Sequence, residues 1–215
     1  MKRNAGDLIG RHAGWLAALF GVLAALGFGA ALEGYSQVQH PLAMLGARGL
    51  PRALAFNLTG FVMPGLLAAV AAIALRGRLP GDAGWPARIG VQLLLLSALA
   101  FAAQGLLPLD PDDLDGPISR WHATAWTLWW IASVAGAASI AGGLLGRGGW
   151  RAFASAALIA SVVIAAFSLS PPGAWPAGIA PRIALGAWVG LFVLAGRAGP
   201  TSRSGQSAGF ARQAP

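Results

Sequence analysis

The sequence predicts an all-α polytopic membrane protein, a bundle of six transmembrane helices with both termini in the cytoplasm. Three observations carry this. Of 215 residues, 56% are apolar and only 10% charged, against about 25% charged in a soluble domain, and the mean hydropathy is +0.64. The apolar residues fall into six runs, each close to the ~20 residues a helix needs to cross a bilayer core. The basic residues are distributed unequally between alternate ends of those runs, which is the signature of membrane topology.

The runs cover 13–32, 53–75, 89–107, 123–145, 152–169 and 178–196. They divide the chain into a cytoplasmic N-terminus (1–12), a membrane domain (13–197) and a Gly/Ser/Arg-rich tail (198–215) whose composition predicts disorder. Met1-Lys2-Arg3 before the first run resembles the start of a signal peptide. A run of about 20 residues exceeds the 7–15 of a signal peptide's apolar region, so it reads as an uncleaved helix. Pro64 is expected to kink the second helix. Glycines such as Gly21, Gly27, Gly136 and Gly143 are expected to let helices approach closely. The sixth run is the weakest, with Pro181 and Arg182 near its start. Arg182 is expected to snorkel to the interface or to pair with an acid such as Glu33 or Asp110.

With the N-terminus inside, the cytoplasmic side holds Lys2, Arg3, Arg11, Arg76, Arg78, Arg88, Arg147, Arg151, Arg197, Arg203 and Arg212, eleven in all. The outer side holds four: Arg48, Arg52, Arg120 and Arg182. Arginine outnumbers lysine fourteen to one, which with the abundant Ala and Gly suggests a GC-rich bacterial source and hence the inner membrane. The net charge of +8 is scattered between apolar runs, so it does not indicate nucleic acid. The tail's arginines suit anionic membrane lipid or plain solvation. Absence of cysteine excludes disulfides and thiolate metal sites. There is no phosphate-binding loop, no dinucleotide glycine pattern and no H-E-x-x-H.

Two outer segments are unlike plain connectors. In 34–57, Val38, Leu42, Leu45 and Leu50 have the spacing of a short amphipathic helix lying in the interface, with Pro41 in its first turn and Gly46 and Gly49 at its end. His40 would sit near its start, and Asn57 about a turn into the second membrane helix. In 106–126, Asp110 follows the third helix, Asp115-Gly116-Pro117 is a turn, and Ser119 is a candidate N-cap. His122 would then share a helix face with Trp126 and Trp129. Polar groups at membrane depth are costly and therefore candidates for function. Each also has a structural account: Glu33 and the acidic loop as solvated groups, His40 as an interfacial hydrogen-bonder, Asn57 as glue between helices, and the tryptophans as packing.

The same segments resemble a known but uncharacterised group, the bacterial and archaeal membrane-protein family catalogued as domain of unknown function 998. The resemblance rests on Gly34-Tyr35, Gln39-His40-Pro41-Leu42, Leu45-Gly46-Ala47, Pro51, Asn57, Gly60-Phe61, Gly105-Leu106-Leu107-Pro108-Leu109-Asp110-Pro111 and His122. It implies a six-helix plan over about 10–197. The chain departs from the pattern where Ala43-Met44 replaces a Ser-Glu, and it lacks the cysteines many members carry near the Asp-Pro. The family implies no reaction.

Four functional readings follow. The first is a lipid or amphiphile site in the outer half of the bundle, with His40, Asn57, Asp110, His122, Trp126 and Trp129 as candidate lining. The second is a metal-dependent intramembrane lipid hydrolase, with His40, Asp110 and His122 holding a divalent metal. A haem between His40 and His122 is disfavoured, because one of them lies in a connector. The fourth is an accessory or assembly subunit that works through helix packing, with no small-molecule site.

Overall fold

The computed structural model describes residues 5–199 apart from Pro172. Lys2, Arg3 and the tail with Arg203 and Arg212, assigned above to the cytoplasm, lie outside the described residues. Among the described residues there are helices and no strand. The long helices are α1 (Ala5–Ala31), α2 (Ala53–Arg78), α3 (Trp85–Leu106), α4 (Pro117–Leu144), α5 (Arg151–Ser168) and α6 (Ile179–Ala195). The first five are long and apolar enough to cross a membrane. The sixth has 17 residues; at ~1.5 Å per residue it is roughly 25 Å long, a little short of a ~30 Å hydrocarbon core.

Several helices start earlier than the apolar runs predict. A proline in the first turn sets the new boundary in two of them: Pro86 opens α3 behind Gly84, and Pro117 opens α4 behind Gly116. Hydropathy marks where a helix meets lipid, whereas proline and the preceding extended residue mark where it begins. Ser119 is accordingly inside α4 and does not cap it; Gly116 occupies the cap position.

Each helix packs on its neighbour in sequence, and α6 returns to α1, so the six form a closed ring. Its most extensive contact joins α3 and α4. There, a Cβ on Gly90 would lie 2.7 Å from the Gly136 carbonyl oxygen, and one on Gly136 would lie 2.9 Å from that of Gly90. The two backbones touch because neither residue carries a side chain. The centre of the ring is filled by aromatic side chains. Phe101 lies 4.8 Å from Trp188 and 5.2 Å from Phe61, and Trp129 meets Trp188 edge-on at 5.9 Å. The Trp188 indole N–H donates to Ser97 Oγ at 3.0 Å, so this buried polar atom is satisfied.

The expected disturbance in α2 is present, and it begins before Pro64. Residues Asn57–Val62 form a π-helical turn, after which Met63–Arg78 is regular. A proline cannot donate to the carbonyl four residues back and its ring crowds that carbonyl. A widened turn ahead of Pro64 relieves both problems, and such turns recur at functional positions.

The expected interfacial helix in the first connector is not what forms. Leu42–Gly46 is a five-residue 3-10 turn, and Leu45, Gly46 and Ala47 are buried. Val38 is exposed while Leu45 is only 3% exposed, so the apolar positions do not share one lipid-facing stripe. The segment is folded onto the bundle end.

Replacing Gly136 with Val should destabilise the protein by about 1–3 kcal/mol through overpacking. Gly142→Val, whose Cβ would enter open space, should stay within about 0.5 kcal/mol. Unfolding titrations in mixed micelles compare the two, and equal losses would contradict the α3–α4 contact.

Candidate functional site

Three connectors lie at one end of the ring: 32–52, 107–116 and 169–178. The first is bonded to both others. Arg48 N–H donates to the Leu109 carbonyl at 2.8 Å, and Gly178 N–H donates to the Val38 carbonyl at 3.0 Å.

Arg182, in the first turn of α6, gathers this end. Its Nη1 donates to the carbonyls of His40 at 2.9 Å and Gly178 at 2.8 Å. Its Nη2 donates to the Tyr35 hydroxyl at 2.6 Å and to Gln37 Oε1 at 2.7 Å. All four acceptors are neutral. The predicted pairing with Glu33 or Asp110 does not occur: Glu33 is exposed at the end of α1, and Asp110 accepts from the Asp112 N–H at 3.2 Å in its own turn. The geometric cause is that the connector 35–40 wraps the guanidinium before any carboxylate can reach it. Burial raises the Tyr35 pKa above its ordinary value, while the charge and hydrogen bond of Arg182 pull it down without cancelling the rise.

Below Arg182 runs a groove of about 350 Å³ between α1, α2 and α6. Gly21 and Leu26 of α1, Pro64 of α2, and Leu185 and Gly186 of α6 contribute to its apolar walls. Gln37 and Arg182 are its polar end. Gln37 is held in place on both sides, its Oε1 by Arg182 and its Nε2 by the Ala25 carbonyl at 2.7 Å.

The structure separates the residues the sequence groups together. His40 lines neither this groove nor the smaller cavity described below; its Nδ1 accepts the Ser36 N–H at 2.9 Å and so closes its own turn. Asn57 is 5% exposed and its Nδ2 donates to the Gly46 carbonyl at 2.9 Å, which fastens the connector to the π-helical turn. It joins a connector to a helix and not one helix to another. Asp110 and Ser119 brace the second connector, with Ser119 Oγ 2.7 Å from the Asp113 carbonyl. Trp129 is fully buried in the aromatic centre and lines neither cavity, and its indole N–H has no acceptor in the protein. His122 and Trp126 do line a cavity, beside Gln104.

Among the described residues no three His, Cys, Asp or Glu side chains gather where a metal ion could be held. His40, Asp110 and His122 are therefore not brought together as ligands. Each has its own local partner: the Ser36 N–H, the Asp112 N–H and the Leu107 carbonyl respectively.

Sequence reasoning missed Gln37, Gln104 and Gly186. Gln104 carried a usable signal, since an amide within an apolar run is costly unless it has a task. Gly186 carried none, because only the packing of α6 reveals that its missing side chain opens the groove. No family model, no curated protein and no solved structure matches the chain.

Tyr35 is the only tyrosine, so an absorbance titration at alkaline pH reads it alone. Its midpoint should lie above that of an unfolded control. In Arg182→Gln the midpoint should rise further, because the lowering influence is gone. Since the folded value is the higher one, the associated stability is present at neutral pH and is lost as pH rises through it. A midpoint that falls in Arg182→Gln would contradict the contact. Asn57→Leu should cost about 1–3 kcal/mol by leaving the buried Gly46 carbonyl unpaired, and should speed amide exchange at Met44 and Ala47.

Proposed function

We propose that this protein binds an anionic amphiphile, with the apolar chain in the α1–α2–α6 groove and the acidic head at Arg182. The observation that carries the reading is a half-buried guanidinium, surrounded by neutral oxygens only, at the end of an otherwise apolar groove. An arginine offers five N–H donors, and four hydrogen bonds to protein oxygens leave the Nε–H and the full positive charge. A phosphate or carboxylate head neutralises that charge, and a chain fills apolar walls that water would solvate badly. A groove of about 350 Å³ is within the roughly 300–1,000 Å³ usual for small-molecule sites.

The membrane setting is part of the proposal. The α6 helix crosses as a sixth span, with Arg182 at its interfacial end. The eleven-to-four distribution of basic residues supports cytoplasmic termini in a bacterial inner membrane, with the Arg182 end facing outward. The chain's motif resemblance to the uncharacterised family named above falls largely on the two connectors at that end, and we take membership of it as a further part of the reading.

Native mass spectrometry of protein released from nanodiscs should detect bound phosphatidylglycerol or fatty acid in preference to phosphatidylcholine. Arg182→Gln should weaken this binding about tenfold, the scale of one charge-assisted contact. Gly186→Leu places its side chain into space with nothing within 4 Å, so it should fold normally and exclude the chain. Unchanged lipid binding in both variants would reject the proposal.

A further inference from the structure

A second cavity of about 130 Å³ lies on the other side of Leu42 and Leu185, which line both it and the groove. Its roof is the connector at Pro41, and its walls include Phe61, Trp126 and Pro181. Two polar side chains line it, His122 from α4 and Gln104 from α3. Both are more than nine-tenths buried, Gln104 at 1% exposure and His122 at 7%.

Their hydrogen-bond states are complementary. Gln104 Nε2 is a buried donor with no acceptor in the protein. His122 Nδ1 lies 2.8 Å from the Leu107 carbonyl, and the main-chain carbonyl of Gln104 is a second acceptor beside the ring. A carbonyl can only accept, so Nδ1 carries the hydrogen, and Nε2 of the neutral ring is an acceptor. The cavity is thus lined by an amide, whose Nε2 donor is unpaired and whose Oε1 can accept, and by an imidazole acceptor, among apolar walls. A carbonyl ligand would answer Gln104 and leave His122 unmet. An ammonium would do the reverse. A hydroxyl both donates and accepts through a single oxygen, and so answers both with the fewest polar atoms left over.

We propose that this cavity is a binding site for a hydroxyl group carried on a compact apolar frame, with Gln104 donating to its oxygen and His122 Nε2 accepting its hydrogen. A cavity of about 150 Å³ accommodates benzene, so the frame is of the size of a single six-membered ring or a short branched chain. The flat faces of Trp126 and Phe61 suit a ring. The hydroxyl arrives either on a free small molecule or at the end of a lipid that enters from the groove past Leu42 and Leu185. The site stands on its own observations and does not require the anionic-amphiphile reading.

The test uses the full chain in nanodiscs with ¹⁵N-labelled histidine. The His122 signals are assigned by their loss in His122→Gln, and the His12 and His40 signals report that the fold is intact. Phenol should shift the His122 Nε2 resonance saturably, and toluene, of nearly the same shape, should bind at least fivefold more weakly. Gln104→Met, close in size, should weaken phenol about five- to tenfold with the His12 and His40 signals unmoved. Adding oleyl alcohol, which carries its hydroxyl on an apolar chain, distinguishes the two sources. A shift that is lost in Gly186→Leu, while the phenol shift remains, assigns a lipid hydroxyl entering through the groove; a shift with phenol alone assigns a free molecule. Equal binding of phenol and toluene, or a His122 spectrum that neither moves because water alone occupies the cavity, overturns the proposal. So does an Nδ1 that proves to lack the hydrogen.

Discussion

Arg182 and the four neutral oxygens around it hold one end of this helix ring together. A guanidinium at the membrane interface has two inexpensive fates, to snorkel into water or to pair with a carboxylate. Here no carboxylate pairs with it, and four neutral oxygens hold it instead. It draws in the backbone carbonyl of His40 and the side chains of Tyr35 and Gln37, and thereby fixes the first connector against the start of α6. Gly178 belongs to the same arrangement: a Cβ there would lie 2.7 Å from both the His40 carbonyl oxygen and Arg182 Nη1. The absence of a side chain at 178 is what lets the two segments meet.

The connector is fastened at a second point by Asn57. Its amide reaches the Gly46 carbonyl from the π-helical turn of α2, and that turn exists because Pro64 follows it. Two anchors, about one at each end of 40–46, hold the intervening Pro41–Ala43 over the bundle. Those residues then roof the smaller cavity. The cavities are consequences of how the connector is held, so a change at Asn57 or Arg182 acts on the sites even though Asn57 lines neither.

Much of the fold was legible in the sequence because a bilayer forces it. Backbone groups must be satisfied within each apolar run, so runs of about the right length become helices, while their closure into a ring comes from packing that the runs do not encode. The site was legible only in part. His122, Trp126 and Arg182 stood out by type and do line cavities, whereas His40, Asp110 and Asn57 stood out equally and turned out to fasten connectors. Residue type reports the cost of placing a polar group near lipid. It does not report whether that cost is met by a neighbouring N–H, as for His40, or left unmet within the protein, as for Gln104. That distinction depends on contacts between segments far apart in the chain, such as 37 with 182 and 104 with 122. The amphipathic spacing at 38–50 misled for the same reason, since a short apolar stripe fits an interface and a bundle end equally well.

The two cavities differ in the chemistry they leave unmet. At Arg182 almost every donor is used, and what remains is net charge, which acts over several ångströms and selects for anions with little demand on geometry. At Gln104 and His122 there is no net charge to select with; what remains is a direction for each hydrogen bond, which acts only at contact and discriminates between groups of similar size. Leu42 and Leu185 stand between the two, apolar on both sides, so neither site's polar groups satisfy the other's. A molecule long enough to reach past them would be chosen for charge at one end and for a hydroxyl at the other, while shorter ligands would see two independent sites.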